Sequence, residues 1–175
     1  MTRNLGIVKI VLLILWSGYV HSEIDDYFIH GVSPSASNYG NTGILEIPNA
    51  RFMDPASMRL SFSGSYPNEY TSLTATPFSW FEATYRYTEI KNQKYGPFFY
   101  SGNQTLKDKG FDIKLGLLNE TYLYPAVAVG IRDLAGTGLL SSEYIVASKQ
   151  LGGFDITTGI GWGLLGLEGG TSNPF

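Results

Sequence analysis

Residues 80–90 read WFEATYRYTEI, and this stretch decides the fold because two kinds of side chain alternate along it. Phe81, Ala83, Tyr85 and Tyr87 occupy one set of alternate positions, and charged or hydroxyl-bearing side chains occupy the other. A period of two places each set on its own face of a β-strand. The stretch therefore predicts a strand with one apolar face and one polar face.

The same alternation recurs on both sides of residues 80–90, and segments rich in Gly, Pro and Asn interrupt it. A helical period is absent from this part of the sequence. We therefore predict an all-β fold, an antiparallel meander of about seven strands over residues 58–175. The predicted strands are 58–66, 70–76, 80–90, 111–117, 126–132, 143–149 and 154–163.

The first 22 residues have the features of a secretory signal peptide. Arg3 and Lys9 give a basic start, and the apolar run that follows is too short for a typical transmembrane helix. We predict cleavage after Ser22, so that the mature chain begins at about Glu23; a membrane anchor is the alternative. Residues 23–57 are rich in Ser, Asn, Gly and Pro, which predicts an irregular segment with a short extended piece at 44–47.

Composition excludes several classes of function. Charged residues make up 15% of the 175-residue chain, against about a quarter in ordinary soluble domains. The absence of cysteine excludes disulfides, thiolate metal sites and a cysteine nucleophile. Signal cleavage removes two of the 12 basic residues and none of the 15 acidic ones, which leaves a net charge of −5. No nucleic acid is therefore expected as a partner, because binding it requires a basic surface.

The sequence offers little catalytic or metal-binding chemistry. One of its two histidines, His21, leaves with the signal peptide, and His30 lies in the irregular segment. A carboxylate pair on the polar face is conceivable, but basic side chains alternate with the carboxylates there. We therefore predict no enzyme activity, no cofactor and no metal site, and a polar face that is either a salt-bridged lumen or a solvated surface. The candidate lumen-facing residues are Glu82, Arg86, Asp112, Lys114, Arg132, Glu143 and Lys149.

Glycines near the end of the chain, Gly161-x-Gly163-x-x-Gly166, have the spacing of a dinucleotide-binding loop. Such a loop needs a helix after it and an acidic residue about 20 positions further on. Here Gly159, Gly161 and Gly163 continue the alternation of a strand and form a smooth face opposite Ile160 and Trp162. They predict a strand with one small-residue face rather than a nucleotide site.

Alternation alone leaves two architectures open. In a soluble sandwich the apolar face is buried in protein, whereas in a membrane barrel it faces lipid and the polar face lines the lumen. Three features favour the barrel: strands long enough to cross the bilayer when tilted, alternating long and short connections, and aromatics near the strand ends. These aromatics are Tyr66, Tyr70, Phe78, Trp80, Tyr87, Tyr122, Tyr124, Phe154 and Trp162.

The connection after residue 90 contains an aromatic stretch, YGPFFY at residues 95–100. Tyr95, Phe98, Phe99 and Tyr100 have the flat apolar surfaces on which sugar rings stack. The same side chains can equally pack on the rim of a barrel. Both interpretations remain open from the residues.

Five stretches resemble the YjbH family of Gram-negative bacteria: SNYGNTGILEIPNARF, WFEATYRYTEI, KDKGFDIKLGLL, PAVAVGIRDLAGTGLLSSEYIVASKQ and FDITTGIGWGLLG. The resemblance covers about residues 33–175. It implies an outer-membrane β-barrel associated with exopolysaccharide and capsule production, with membrane lipid and polysaccharide or export proteins as partners. The alternative is a soluble periplasmic β-domain that binds glycan or a partner of the export machinery.

The chain differs from the family pattern in two ways, in its lack of cysteine and in its length. Some relatives resemble lipoproteins, and this chain has no cysteine to carry a lipid. Family members are also several times longer, so the chain is expected to correspond to their N-terminal part. Because a bacterial barrel has an even number of strands and at least eight, seven strands predict an incomplete barrel. The strand at 154–163 is expected to pair on one side only, with 166–175 irregular.

Overall fold

The computed structural model describes residues 34–166. The predicted signal peptide, His30 and residues 167–175 lie outside this range. The strands are β1 (Gly43–Ile44), β2 (Ile47–Pro48), β3 (Ser57–Ser65), β4 (Asn68–Phe78), β5 (Phe81–Lys94), β6 (Thr105–Leu118), β7 (Ala126–Arg132), β8 (Ser142–Leu151) and β9 (Phe154–Gly161). A one-turn helix, α1 (Phe98–Ser101), and a 3-10 turn, Gly163–Gly166, complete the described secondary structure.

The prediction of an all-β antiparallel meander is confirmed. Strands β3 to β9 form one seven-stranded sheet in chain order, and each strand runs antiparallel to its neighbours. The sheet curls into a half-barrel. Within residues 34–166, β3 and β9 are each paired on one side only, as predicted for the last strand.

Two ends of the sheet differ in their connections. We call the end with the connections 66–67, 95–104 and 133–141 the loop end, and the end with 79–80, 119–125 and 152–153 the turn end. The predicted long loop at 91–109 is shorter than expected, because β5 and β6 continue through polar residues up to Lys94 and from Thr105. Backbone pairing and the cross-strand hydrogen bond from the Thr105 hydroxyl to Glu89 sustain these strands where the hydrophobic alternation has ended.

The short extended piece predicted at residues 44–47 is instead a tight hairpin. Gly43 pairs with Pro48, and Ile44 pairs with Ile47. Leu45 has a φ of 51°, a left-handed conformation that an extended strand does not contain. The chain therefore reverses at this residue, and the prediction of a single strand there was wrong.

The two faces of the sheet have opposite polarity, and the polar face is the buried one. On this inner face Arg86 is 0% exposed and Lys114 1% exposed. On the outer face Met58 is 68% exposed and Ile160 65% exposed. Soluble proteins bury apolar side chains and expose charged ones, so this sheet has the reverse distribution.

Residues 34–52, which we call the plug, cover the inner face. Tyr39 of the plug packs at 5.1 Å against Tyr70 of β4, and both rings are buried. A second small apolar cluster joins the plug to β7 and β8; its members are Ala50, Ala126, Ala128, Tyr144 and Val146, with Phe52 and Leu165 packed against it. The hydrophobic core therefore lies between the plug and the sheet and consists mainly of small side chains and tyrosines.

Within residues 34–166, the helical segments are too short or too polar to cross a membrane.

Candidate functional site

Every strand of the seven-stranded sheet contributes a polar side chain that holds the plug. Most of these contacts involve the plug backbone, so they fix its path without depending on its side chains. In order from β3 to β9 the contributing residues are Arg59, Thr74, Glu82, Lys114, Arg132, Ser148 and Asp155. The inner face is thus a continuous polar lining matched to one segment of the same chain.

Glu82 and Lys114 form the centre of this lining. The Lys114 Nζ lies 3.1 Å from the Glu82 Oε1, and both side chains are almost fully buried. Lys114 also donates to the carbonyl of Arg51 at 2.6 Å and lies 4.4 Å from the centre of the Phe52 ring. Glu82 accepts from the amide of Thr42 at 2.9 Å. Both charges are therefore compensated, as burial of an ion pair requires.

A second buried group surrounds Tyr39. Arg86 donates to Asp112 at 2.6 Å, and the other Asp112 oxygen accepts from the amide of Asp133 at 2.9 Å. The guanidinium groups of Arg86 and Arg132 lie 5.3 Å and 4.3 Å from the centre of the Tyr39 ring. Cation–π contact of this kind is strengthened by the absence of water. Two arginines thus hold one plug tyrosine.

Arg51 fastens the end of the plug at the turn end of the sheet. Its guanidinium donates to Asp155 of β9 at 2.6 Å and also donates to Glu120 in the 119–125 connection. Burial by itself lowers the pKa of Arg51, but the hydrogen bonds and charges of Asp155 and Glu120 outweigh it and raise the pKa. Arg51 therefore stays charged at any physiological pH. Lys149 gives Glu120 a second cationic partner at 3.4 Å.

The structure brings together five of the seven polar residues expected on one face: Glu82, Arg86, Asp112, Lys114 and Arg132 are all buried beneath the plug. Glu143 and Lys149 lie on the opposite face, and placing them with the other five was wrong. In β8 the inner positions include Tyr144 and Val146, which supply apolar contact to the plug. Because the period is two, the charged residues of that strand must point the other way.

Aromatic side chains are concentrated at both ends of the sheet. At the turn end Phe78 and Trp80 stack at 5.6 Å, and Tyr122, Tyr124 and Phe154 are also exposed at this end. At the loop end the side chains of α1 project outward, with Phe99 90% exposed. Tyr70 does not belong to this set. It faces inward against Tyr39, because it occupies one of the alternate positions of β4 that place the polar side chains on the inner face.

The four candidate residues of the aromatic loop are all exposed. Tyr95, Phe98, Phe99 and Tyr100 all have more than half of their surface accessible. Tyr95 precedes Pro97 and the other three follow it. The amide of Ser101 donates to the Pro97 carbonyl at 3.0 Å, which closes the helical turn. The loop therefore presents its aromatics to the surroundings instead of packing them on the sheet.

The glycines of β9 face inward, opposite Ile160, as the alternation predicted. Gly159 and Gly161 pair with Val146 and Tyr144, and the chain then forms the 3-10 turn rather than a long helix. A groove of about 280 Å³ lies between these glycines and Pro48 of the plug. It is open at the free edge of β9 and contains no cluster of charged side chains.

The plug and its contacts could not be derived from alternation. Within residues 34–166 no three His, Asp or Glu side chains are placed to hold a metal ion. The inner face instead binds backbone amides and carbonyls. The glycine at position 40 is the one signal of the plug in the sequence. Gly40 has a φ of 91°, and a Cβ there would lie 1.8 Å from the Ser72 Oγ, so only a glycine permits this close approach to the sheet.

Comparison with known proteins gives a consistent family assignment. The model of the YjbH family, described as exopolysaccharide biosynthesis protein YbjH, matches residues 35–175. A curated relative of Escherichia coli (strain K12), named uncharacterized lipoprotein YjbH, is 44% identical over 145 residues, which is 82% of this chain and 21% of the relative. The chain therefore spans about a fifth of that relative's length. No solved structure matches the chain.

Proposed function

We propose, from the premise that this chain belongs to the YjbH family of exopolysaccharide biosynthesis proteins, that it forms part of the wall of an outer-membrane β-barrel. In that position it takes part in the export or surface assembly of exopolysaccharide or capsule. The family description supports the link to exopolysaccharide, and the polarity of the sheet supports the membrane. Its partners are membrane lipid, the polysaccharide and proteins of the export machinery.

The observation that carries this proposal is the reversed polarity of the sheet. On its outer face every strand from β3 to β9 has at least one exposed Met, Leu, Ile or aromatic side chain. Exposed apolar surface of this extent is rare on a soluble monomer, because contact with water disfavours it. Lipid tails remove that cost, and the charged inner face remains sheltered. Aromatic residues at both ends of the strands match the two interfaces of a bilayer.

The plug limits where the polysaccharide can act. Residues 34–52 occupy the space beneath the inner face, so the charged residues there hold protein rather than glycan. We therefore assign glycan contact to the exposed aromatic loop at the loop end. Tyr95, Phe98, Phe99 and Tyr100 provide rings on which sugars can stack, and Asn103 lies close by in the same connection.

Cell fractionation tests the membrane assignment. Cells expressing the full chain are broken, and the membranes are washed with high salt and then with detergent. The proposal expects the chain to resist salt and to require detergent. Release by salt alone would support the alternative, a soluble periplasmic β-domain that binds glycan or an export partner.

A paired substitution tests the glycan contact. Replacing Phe98 and Phe99 with Ala should weaken retention of the purified chain in a polysaccharide-containing gel, because two stacking surfaces are lost. Tyr122 and Tyr124, exposed at the opposite end, give a matched control when both are replaced with Ala. Equal loss of retention in both variants would argue against a role specific to the aromatic loop.

A further inference from the structure

The lysines of the sheet are distributed very unevenly. Of the six in residues 34–166, Lys114 is buried and Lys149 binds Glu120 at the turn end. The other four are exposed and lie close to the loop end of two neighbouring strands, β5 and β6. These residues, which we call the lysine patch, are Lys91, Lys94, Lys107 and Lys109.

The lysine patch directly borders the apolar outer face. Lys107 and Lys109 are two positions apart on β6, so they share one face at a spacing of about 7 Å. Phe111 continues the same row and packs at 5.1 Å against Tyr85 of β5. Along the outer face of β6 toward the loop end, the surface thus changes from aromatic at Phe111 to cationic at Lys109, two positions away.

Nearby carboxylates neutralise only part of this charge. Lys91 lies 3.0 Å from Glu69 and 3.1 Å from Glu89, so one lysine engages both acids. Lys94 donates to the Asn103 carbonyl at 3.2 Å and forms no ion pair among the described residues. Within residues 34–166, Lys107 and Lys109 likewise lack an ion pair, although Glu89 is opposite Lys107 on the neighbouring strand. The patch therefore carries an excess of positive charge on a chain that is negative as a whole.

We propose that the lysine patch binds the phosphate groups of anionic lipid headgroups, which fixes the depth of the sheet in the bilayer. The inference rests on the membrane position proposed above. With the apolar face in the hydrocarbon, long lysine side chains next to it extend to the level of the headgroups. Each basic residue near an anionic membrane surface then gains attraction to it.

The shape of the surface favours lipid over a soluble anion. A free phosphate is held where several donors converge in a concave site. The lysines here stand side by side on two adjacent strands of an open sheet face, and all four are exposed. Such an array matches a layer of headgroups arranged along the edge of a bilayer.

Vesicle flotation with the full chain tests the proposal. Chain diluted from detergent is mixed with vesicles of phosphatidylcholine alone or of phosphatidylcholine with phosphatidylglycerol, and the bound fraction is measured after centrifugation. We expect tighter association with the anionic vesicles. In the variant Lys107→Gln/Lys109→Gln, this preference should fall by about fivefold for each lysine replaced. The matched variant Lys107→Arg/Lys109→Arg retains the charge and should retain the preference.

The outcomes separate this inference from the membrane assignment. Failure of the wild-type chain to float with either vesicle would defeat both. Equal flotation with both vesicles, unchanged in the glutamine variant, would overturn the lysine patch and leave the membrane assignment intact. Loss of the preference on adding inorganic phosphate, but not sodium chloride of equal ionic strength, would show a site for free phosphate instead and would also overturn the proposal.

Discussion

Thr42 and Glu82 are joined by two hydrogen bonds, one from the Thr42 amide to Oε1 at 2.9 Å and one from its hydroxyl to Oε2. Lys114 lies 3.1 Å from the same carboxylate and donates to the Thr42 carbonyl at 3.3 Å. The three residues therefore close a ring between the plug, β5 and β6. An acid–base pair would need an accessible carboxylate, whereas this carboxylate is buried and engaged by Thr42 and Lys114.

Replacing Lys114 with Met should destabilise the fold strongly. The substitution leaves the buried Glu82 without its cation, and breaking one side of a buried ion pair typically costs about 3–5 kcal/mol. Unfolding by urea in detergent micelles, followed by tryptophan fluorescence, measures the change. Lys94→Met removes an exposed lysine from the same sheet and should cost less than about 0.5 kcal/mol. Equal stabilities of the two variants would show that the Glu82–Lys114 pair does not support the fold.

Replacing Arg51 with Gln should loosen the plug at the turn end. The variant loses the contacts to Glu120 and Asp155, and the neighbouring plug residues should become accessible to protease. Limited proteolysis of the folded chain, with the cut sites identified by mass spectrometry, detects this. The pKa of Arg51 is raised, so raising the pH within the physiological range cannot mimic the substitution by discharging the arginine. Arg51→Lys keeps the charge and should be cut more slowly than Arg51→Gln; identical cleavage of all three proteins would contradict the assignment.

The meander was accessible to sequence analysis because its signal is local. Alternation over residues 80–90 fixed the faces of β5, and the same pattern located the other six long strands. The alternation assigned the wrong face to the charged residues of β8, where contact with the plug, distant in sequence, determines which side chains face inward. Tyr144 and Val146 occupy the inner positions of β8 because the plug requires apolar partners there, and this reversed the expected faces of Glu143 and Lys149.

The plug itself has no period that a sequence can reveal. Its residues are held by side chains up to 104 positions away, as in the contact between Arg51 and Asp155. Gly40 and Leu45 adopt left-handed conformations, of which only the glycine gives a recognisable signal. Sequence analysis therefore identified charged residues of the inner face. It could not show that these residues bind the plug, because the sheet sets the path of the plug.

Replacing Ile113 or Val129 with Arg should prevent stable membrane insertion. Both lie on the outer face in the middle of the sheet, and an arginine facing lipid near the bilayer midplane costs about 2–4 kcal/mol. Thr157→Arg on the inner face of β9 serves as the comparison, because its position borders the open groove. Gly116 is less suitable, since a Cβ there would approach the Phe52 ring at 3.2 Å. The fraction of chain recovered in detergent-extracted membranes gives the result, and similar recovery of outer and inner variants would contradict lipid contact at the outer face.

Within residues 34–166, β3 and β9 each have one unpaired edge. An antiparallel meander of seven strands leaves its first and last strands parallel to each other, so β3 and β9 cannot close a fully antiparallel barrel. Unpaired backbone groups in lipid cost several kcal/mol each, which makes both edges sites where a further strand would be accommodated.

Because the chain has no native cysteine, engineered pairs of cysteines show without background whether the two edges meet. Leu60→Cys/Thr158→Cys should give no disulfide within a single chain, whereas Leu60→Cys/Leu73→Cys, at directly paired positions of β3 and β4, should form one on oxidation. An intrachain disulfide between positions 60 and 158, seen by mass spectrometry of the monomer, would mean that the two edges meet and that the half-barrel closes on itself.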